Sequence, residues 1–285
     1  MSKSDSIDPS SFLYEERGAV AVITLNRPDK LNSLTFDVYR ELTETFSRLQ
    51  DREQVRCVVI TGAGRGFCSG GDVKDIIGEL FARDSLRLRE FTRMTCDLIR
   101  NIRALRKPVI ASLNGTVAGA GAAIALACDL RIAAPAAKIA FLFVKVGLAG
   151  ADMGAAFLLP RVVGLGKAAE LLYSGDFIAA DEARRIGLYN MVAPEGELEA
   201  ETMKWAERLA NGPSFAIGMT KAALNMELNM SLDQALQAES EAQAICMMNP
   251  DFREAYEAFV NKRPPSFNGK PSSGARQKLP NRESR

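Results

Sequence analysis

Two stretches of the chain could do chemistry with backbone alone. Arg65-Gly66-Phe67-Cys68-Ser69-Gly70-Gly71-Asp72-Val73-Lys74 follows the apolar run Cys57–Thr61. Asn114-Gly115-Thr116-Val117-Ala118-Gly119-Ala120-Gly121-Ala122-Ala123 follows the apolar run Pro108–Leu113. In each case a buried strand feeds small residues and then a helix. Such a turn can aim unpaired N–H groups at an anion or a developing oxyanion. Each turn taken alone is equally well a tight strand–helix connection, or a place where a helix packs closely on a sheet. Together they could supply two donors to one carbonyl oxygen. Neither matches a P-loop, because no Gly-x-x-x-x-Gly-Lys occurs, and Gly62-x-Gly64-x-x-Phe67 lacks the third glycine of a dinucleotide fingerprint.

The side chains available for proton transfer are few. The 285 residues contain no histidine, which rules out His-based triads, His-ligated metals and a His general base. Between Lys107 and Ala169 the only acids are Asp129 and Asp152. Asp152 lies in Val146-Gly147-Leu148-Ala149-Gly150-Ala151-Asp152-Met153-Gly154-Ala155. A carboxylate in an apolar loop has a raised pKa suited to shuttling protons; the competing role is N-cap of a helix starting near Met153–Gly154. The five cysteines are odd in number and form no C-x-x-C, so neither a disulfide framework nor a structural metal is expected. Cys68 adjoins the first turn, but nothing near it in sequence would make it a thiolate.

Composition narrows the class further. Hydrophobic residues at 47% and charged residues at 25% are ordinary globular usage. With 36 basic and 35 acidic residues, no global field points to nucleic acid or an anionic membrane. The polar start MSKSDSIDPS has no apolar core for a secretory signal. Val117–Cys128, the most apolar stretch, is about half a membrane helix. A cytoplasmic protein is the expectation.

The elements that must position these residues alternate. Strands are expected at 20–25, 57–61, 108–113, 130–133, 139–143 and 189–192. Helices are expected at 33–50, 73–80, 86–105, 122–128, 154–163, 168–173 and 180–186. From Leu198 to Val260 only helical patterns occur, at about 198–210, 213–227, 231–247 and 250–260. This is an α/β body with an α-helical C-terminal subdomain, divided as a core over 12–195, helices over 196–262 and a tail over 263–285. The tail composition, rich in Pro, Ser, Gly, Lys and Arg, favours disorder.

Several blocks now occur in order. They are Arg27-Pro28-x-Lys30-Leu31-Asn32-Ser33-Leu34, Phe67-Cys68-Ser69-Gly70-Gly71-Asp72-Val73-Lys74 and Lys107-Pro108-Val109-Ile110-Ala111-x-x-Asn114-Gly115, then Cys128-Asp129-Leu130-Arg131-Ile132-Ala133-Ala134 and Leu159-Pro160-Arg161-x-x-Gly164. Over roughly residues 12–268 the chain resembles the enoyl-CoA hydratase/isomerase (crotonase) superfamily. The resemblance implies a spiral of β-β-α turns, with C-terminal helices that assemble trimers, commonly paired into hexamers. It implies an acyl-CoA thioester substrate, coenzyme A entering as part of the substrate and with no separate cofactor. By motif position the oxyanion donors are the N–H groups of Ser69 and Ala120, Ala120 standing where the family usually has the middle of three glycines. It also implies substrate contacts from Lys30, Leu31, Gly70, Asp72, Val73, Lys74, Gly121, Phe259 and Lys262. Asp129 falls in a motif where the family's aspartate is structural.

The resemblance breaks at the proton-transfer positions. The family's hydratases use two glutamates; those positions hold Ala123 and Phe143 here, and neither side chain can move a proton. Some relatives that shift double bonds or open epoxides carry an aspartate just after the Gly-Leu of the later loop. Asp152 matches with one extra residue between. A one-carboxylate reaction, double-bond isomerisation above all, tolerates the missing pair best. The alternatives are a hydratase or lyase with displaced acids such as Asp75 or Glu79, and an acyl-CoA-binding homologue that has lost its chemistry. Phe141, Leu142, Phe143 and Phe157 favour a bulky, cyclic or aromatic acyl group.

Overall fold

The computed structural model describes residues 6–267, which fall into two compact units meeting at Ala210/Asn211. In the first unit, β1 (Phe12–Arg17) and β2 (Val20–Leu25) form a hairpin. Helix α1 (Phe36–Arg48) follows, capped by the Thr35 side chain accepting the Val38 N–H. Three β-β-α turns come next. The first is β3 (Cys57–Gly62), β4 (Gly66–Cys68) and α2 (Ser85–Ala104). The second is β5 (Val109–Leu113), β6 (Thr116–Ala118) and α3 (Ala120–Ala127). The third is β7 (Leu130–Ala133), β8 (Ile139–Ala140) and α4 (Ala155–Val163).

Each turn gives one strand to each of two sheets. The larger sheet runs β1-β2-β3-β5-β7-β9, with β9 at Met191–Val192, and is parallel beyond the first hairpin. The smaller runs β4-β6-β8. Parallel strands need crossover connections, and the helices supply them. The two glycine turns therefore stack, because β4 and β6 are parallel neighbours and each turn follows its strand. Helices α5 (Leu165–Ser174) and α6 (Ala180–Arg185) complete the layer before β9.

Strand alternation separates two cores. Ala21, Ile23, Leu25, Val58, Ile60, Val109, Ala111 and Leu113 face the core shared with α1, α2 and α3. Val20, Val22, Cys57, Val59 and Ile110 face the other way, packing with Ala206 and Ala210 of α7 (Leu198–Ala210). That packing corrects the expected boundary at 195: α7 closes the far face of the sheet, and the division falls after it. On this far face a cavity of about 430 Å³, lined by Thr24, Thr61, Ser112 and Thr202, contains neither Asp152 nor the residues of the 69–72 and 119–121 turns.

The second unit holds α8 (Ser214–Met226), α9 (Leu232–Met248) and α10 (Pro250–Val260). Ser231 and Gln234 form a capping box on α9, and Asn249 caps α10. The tail begins in order: Arg263 pairs with Glu254, whose carboxylate also accepts the Ser266 N–H. Only 268–285 of the expected disordered tail lies outside the described residues. Among the described residues, no helix is long and apolar enough to cross a membrane.

Candidate active site

The first turn is aligned by the segment before α1. Leu31 and Asn32 both take left-handed backbone, φ 48° and 56°, which reverses the chain sharply. The Asn32 amide accepts the Arg27 N–H and donates to the Ala63 and Gly66 carbonyls, holding the reversal against β4. Leu34 then pairs with Gly71 as a parallel bridge: its N–H donates to Gly70 O at 2.8 Å and its carbonyl accepts the Asp72 N–H at 2.9 Å. In such a bridge the N–H of the paired residue itself points away.

This geometry corrects one expected donor. The Ser69 N–H donates to Leu31 O at 3.0 Å and is not available to a ligand. Among the described residues, the Gly71 N–H has no acceptor. The second turn offers its neighbour. Gly119, at φ 53°, immediately precedes α3, and the N–H of Ala120, the first helical residue, also has no acceptor among the described residues. The two turns abut: a Cβ on Gly70 would sit 3.5 Å from Ala120 N and 3.3 Å from Ala118 O. Gly70 itself has φ 100°, a conformation that a side chain would strain.

Charge fixes the first turn from behind. Asp72 caps the π-helical segment Val73–Gly78, accepting the Lys74 and Asp75 N–H groups on Oδ1. Its Oδ2 accepts the Ser33 hydroxyl at 2.9 Å and lies 3.2 Å from the Arg27 guanidinium. The Asp75 N–H, then the Ser33 hydroxyl, the Lys74 N–H and Arg27 hold the Asp72 carboxyl down at about 2, against the opposing effect of burial. Asp72 is thus a structural anion rather than a proton carrier. Lys30, Val73 and Lys74 are exposed, and Leu31 is half-buried.

The second turn is fixed by packing. Every residue of α3 is buried. A Cβ on Gly121 would lie 2.6 Å from Cys68 O and 3.0 Å from Cys68 Sγ, so only glycine fits where the strand of the first turn crosses the helix of the second. Ala123 is buried in α3, and Phe143 in the 3-10 segment Leu142–Val146, where the expected strand at 139–143 ends after Ala140. Cys68 is buried, and burial pushes its thiol up to about 12, so it stays protonated.

Asp152 does not cap α4. Gly154, at φ 78°, is the cap residue and α4 receives no side-chain cap bond. The Asp152 carboxylate instead accepts the adjacent Met153 N–H at 2.8 Å, while its carbonyl accepts the Ala155 N–H. Met153 has φ 47°, so two successive left-handed residues turn the chain immediately after the aspartate. The half-buried carboxyl has a raised pKa; desolvation raises it and the Met153 N–H partly offsets this. Asp129, the other acid of the span, accepts the Val109 N–H and pairs with Arg103, which ties β5 to β7. Asp75 pairs with Arg27, and Glu79 is exposed. Phe259, on α10, and Lys262, just beyond it, are exposed residues of the second unit.

Residues 15–270 match the enoyl-CoA hydratase/isomerase family model. The chain is 37% identical to the 1,2-epoxyphenylacetyl-CoA isomerase of Escherichia coli strain K12, across 90% of this chain and 97% of that one. It is 34% identical to the short-chain-enoyl-CoA hydratase of Clostridium acetobutylicum, across 89% and 96%. In structure it is similar to a Streptomyces coelicolor A3(2) protein provisionally described as an enoyl-CoA hydratase, with TM-score 0.90, 48% identity and coverage of 92% and 96%. The chain belongs to the enoyl-CoA hydratase/isomerase family. Its fold is the crotonase fold, in which the three β-β-α turns are the spiral.

Proposed function

We propose that this family member is an acyl-CoA isomerase that works with one carboxylate. The thioester carbonyl accepts the N–H groups of Gly71 and Ala120. Asp152, ionised, takes a proton from one carbon of the acyl chain, and the electron pair moves into the carbonyl to give an enolate held by the two donors. The same carboxyl returns the proton at a different carbon, so the double bond moves and no water is consumed. Two preorganised donors stabilise such an oxyanion by several kcal/mol, and a positioned carboxylate contributes about 10²–10⁴-fold. Coenzyme A is held by the rim of the first turn, Lys30, Leu31, Val73 and Lys74.

The observation that carries this reading is the solitary state of Asp152. It is half-buried, its carboxylate bound among the described residues only to its neighbour's N–H, and it carries a raised pKa, while Asp129, Asp72 and Asp75 are engaged in ion pairs. The isomerase name of the E. coli relative agrees with it. For assembly we propose a homotrimer or hexamer: α9 buries none of its residues within the chain and exposes Leu232, Leu236, Ile245, Met247 and Met248.

The test is mass spectrometry of 2-enoyl-, 3-enoyl- and cyclic dienoyl-CoA thioesters incubated with the protein in deuterated water. Deuterium uptake or a shifted double bond without added water is the expected result. Asp152→Asn should lower that turnover by about 10²-fold or more while coenzyme A binding persists. Burial raises this acid's pKa, so its ionised form costs stability above that raised value; the variant should melt no lower than the parent at neutral pH. Activity in the parent should rise with pH through the same raised value. A mass gain of water would establish hydration and overturn the isomerase assignment. Binding without turnover across the panel would leave an acyl-CoA-binding homologue.

A further inference from the structure

Helix α3 carries the Ala120 donor at one end, and two arginines close its other end. The last carbonyls of a helix have no partner within it. Here they lie inside the protein, since every residue of α3 is buried and so is Cys128 just beyond it. Guanidinium groups supply the missing donors. Arg131 Nη1 donates to Cys128 O at 2.7 Å and reaches Ala125 O at 3.4 Å and Leu126 O at 3.5 Å. Arg103 Nη1 donates to Ala127 O at 3.4 Å. The Arg131 head is itself anchored, because its Nε donates to Leu188 O at 2.6 Å.

Stability is a poor reason for this arrangement. Arg131 is only 5% exposed, and burial works against its charge and lowers its pKa. A guanidinium nevertheless stays ionised in a protein. Its acceptors are backbone carbonyls, and the neighbouring carboxylate, Asp129, is paired with Arg103. The two cations outnumber that carboxylate and leave this end of α3 positive. A helix can end without burying a charge, as α5 does at Gly175 in left-handed backbone.

The charge has a use at the opposite end. The eight residues of α3 span only about 12 Å. The carbonyl end of a helix is negative, and in so short a helix it opposes the positive potential that the first N–H groups present to an oxyanion. A cation set against those carbonyls cancels the negative end. The helix between is buried and uncharged, so screening is weak. At about 12 Å and an effective dielectric constant of about 20, a unit charge changes the stability of an oxyanion by about tenfold.

We propose that Arg131 is a positioning residue for the oxyanion site. It acts through α3 rather than by touching substrate. Its guanidinium fixes the carbonyl end of the helix, and its charge strengthens the hold of the Ala120 N–H on a thioester oxygen, with Arg103 as the lesser partner. The assignment rests on the reading of Ala120 as a donor to that oxygen.

The experiment is infrared difference spectroscopy of hexanoyl-CoA, isotopically labelled at its thioester carbonyl, bound to the full chain and to Arg131→Lys and Arg131→Gln. A polarised carbonyl absorbs at lower frequency than the free thioester. The parent should show that downshift. Arg131→Lys keeps the charge and should retain most of it; Arg131→Gln keeps amide donors without the charge and should lose much of it. Turnover should follow, with kcat about tenfold lower in Arg131→Gln and KM little changed. A merely structural residue would lower the melting temperature without separating lysine from glutamine at the carbonyl band. Where Arg131→Gln does not fold, Arg103→Gln, at a half-buried position, decides: a smaller downshift supports the proposal and an unchanged one overturns it. Equal downshifts in parent and both Arg131 variants, or equal loss in the two variants, would overturn the role of Arg131 while leaving the oxyanion site standing. A parent that does not bind the thioester, or binds it without a downshift, would remove the oxyanion reading and the role of Arg131 with it.

Discussion

The two glycine turns present the same group, an unpaired backbone N–H, and reach it by opposite means. The Gly70–Gly71 turn is held by polarity: a parallel bridge to Leu34, the Asn32 amide, and the Arg27–Ser33–Asp72 network. The Gly119–Ala120 turn is held by volume: an alanine-rich helix with no charge, wedged so closely against Cys68 that no Cβ fits at Gly121. A hydrogen-bonded turn is sensitive to protonation and tolerant of small changes in shape. A packed turn is indifferent to pH and intolerant of a single methyl group. Opposing two turns of different construction fixes two donors against each other without a side chain in the site.

The largest effect should come from removing a donor while sparing its turn. Ala120 is the first residue of α3, a position where proline is tolerated because its missing N–H has no helical acceptor. Ala120→Pro should lower kcat about 10²–10³-fold, on the order of 3 kcal/mol in the barrier, with little change in far-UV dichroism. Ala120→Gly retains the N–H and should stay within a few-fold of the parent. If both variants lose turnover equally, the shape of the turn rather than its donor matters, and the comparison fails.

Next comes a test of the packed turn by volume. Gly121→Ala would place a Cβ 2.6 Å from Cys68 O and 2.7 Å from Cys68 Cβ, against a strand that cannot move without disturbing the small sheet. Overpacking of this kind costs about 3 kcal/mol, and the loss should be independent of pH. Denaturant unfolding at several pH values measures both statements. A variant as stable as the parent would show that α3 can shift outward, and that volume does not set the second turn.

How far this arrangement was legible in the sequence differs between the turns as well. The long elements were plain because their apolar periodicity is sustained: α1, α2, the central strands and the C-terminal helices lie where the pattern places them, within a few residues. β4 and β6 are three residues each, too short for alternation to be read, and β1 exposes alternate residues on an edge. The Ala120 N–H, which the resemblance implies as a donor, has no acceptor among the described residues because a glycine at positive φ is followed at once by a helix start. Ser69 fails because its availability depends on Leu31, a partner remote in sequence that consumes its N–H. Asp152 was recognisable as a candidate because it is one of two acids in its span and the family resemblance implies an aspartate in that loop. Its freedom from helix capping was not, since that turns on Met153 adopting a left-handed backbone unusual for its type. The placement of α7 on the body likewise depends on the far sheet face, which no single helix pattern reveals.

The polar turn should yield to acid, with the smallest effect of the series. Asp72 is held ionised to about 2 by the Asp75 N–H, the Ser33 hydroxyl, the Lys74 N–H and Arg27. A lowered carboxyl pKa adds stability that is fully present above the ordinary aspartate value. It is lost as pH falls from about 4 toward that lowered value. Asp72→Asn keeps one acceptor for the Lys74 and Asp75 N–H groups but turns an amide toward Arg27, so the charge term disappears at every pH. The variant should be less stable than the parent by about 2 kcal/mol at pH 7 and nearly equal to it below pH ~2. Urea unfolding of both proteins as a function of pH measures the gap, and Gly121→Ala provides the contrast of a gap that does not close in acid. A constant difference between Asp72→Asn and the parent down to pH ~2 would mean that Asp72 holds the turn by shape, as the alanine helix does, and the two turns would no longer differ in kind.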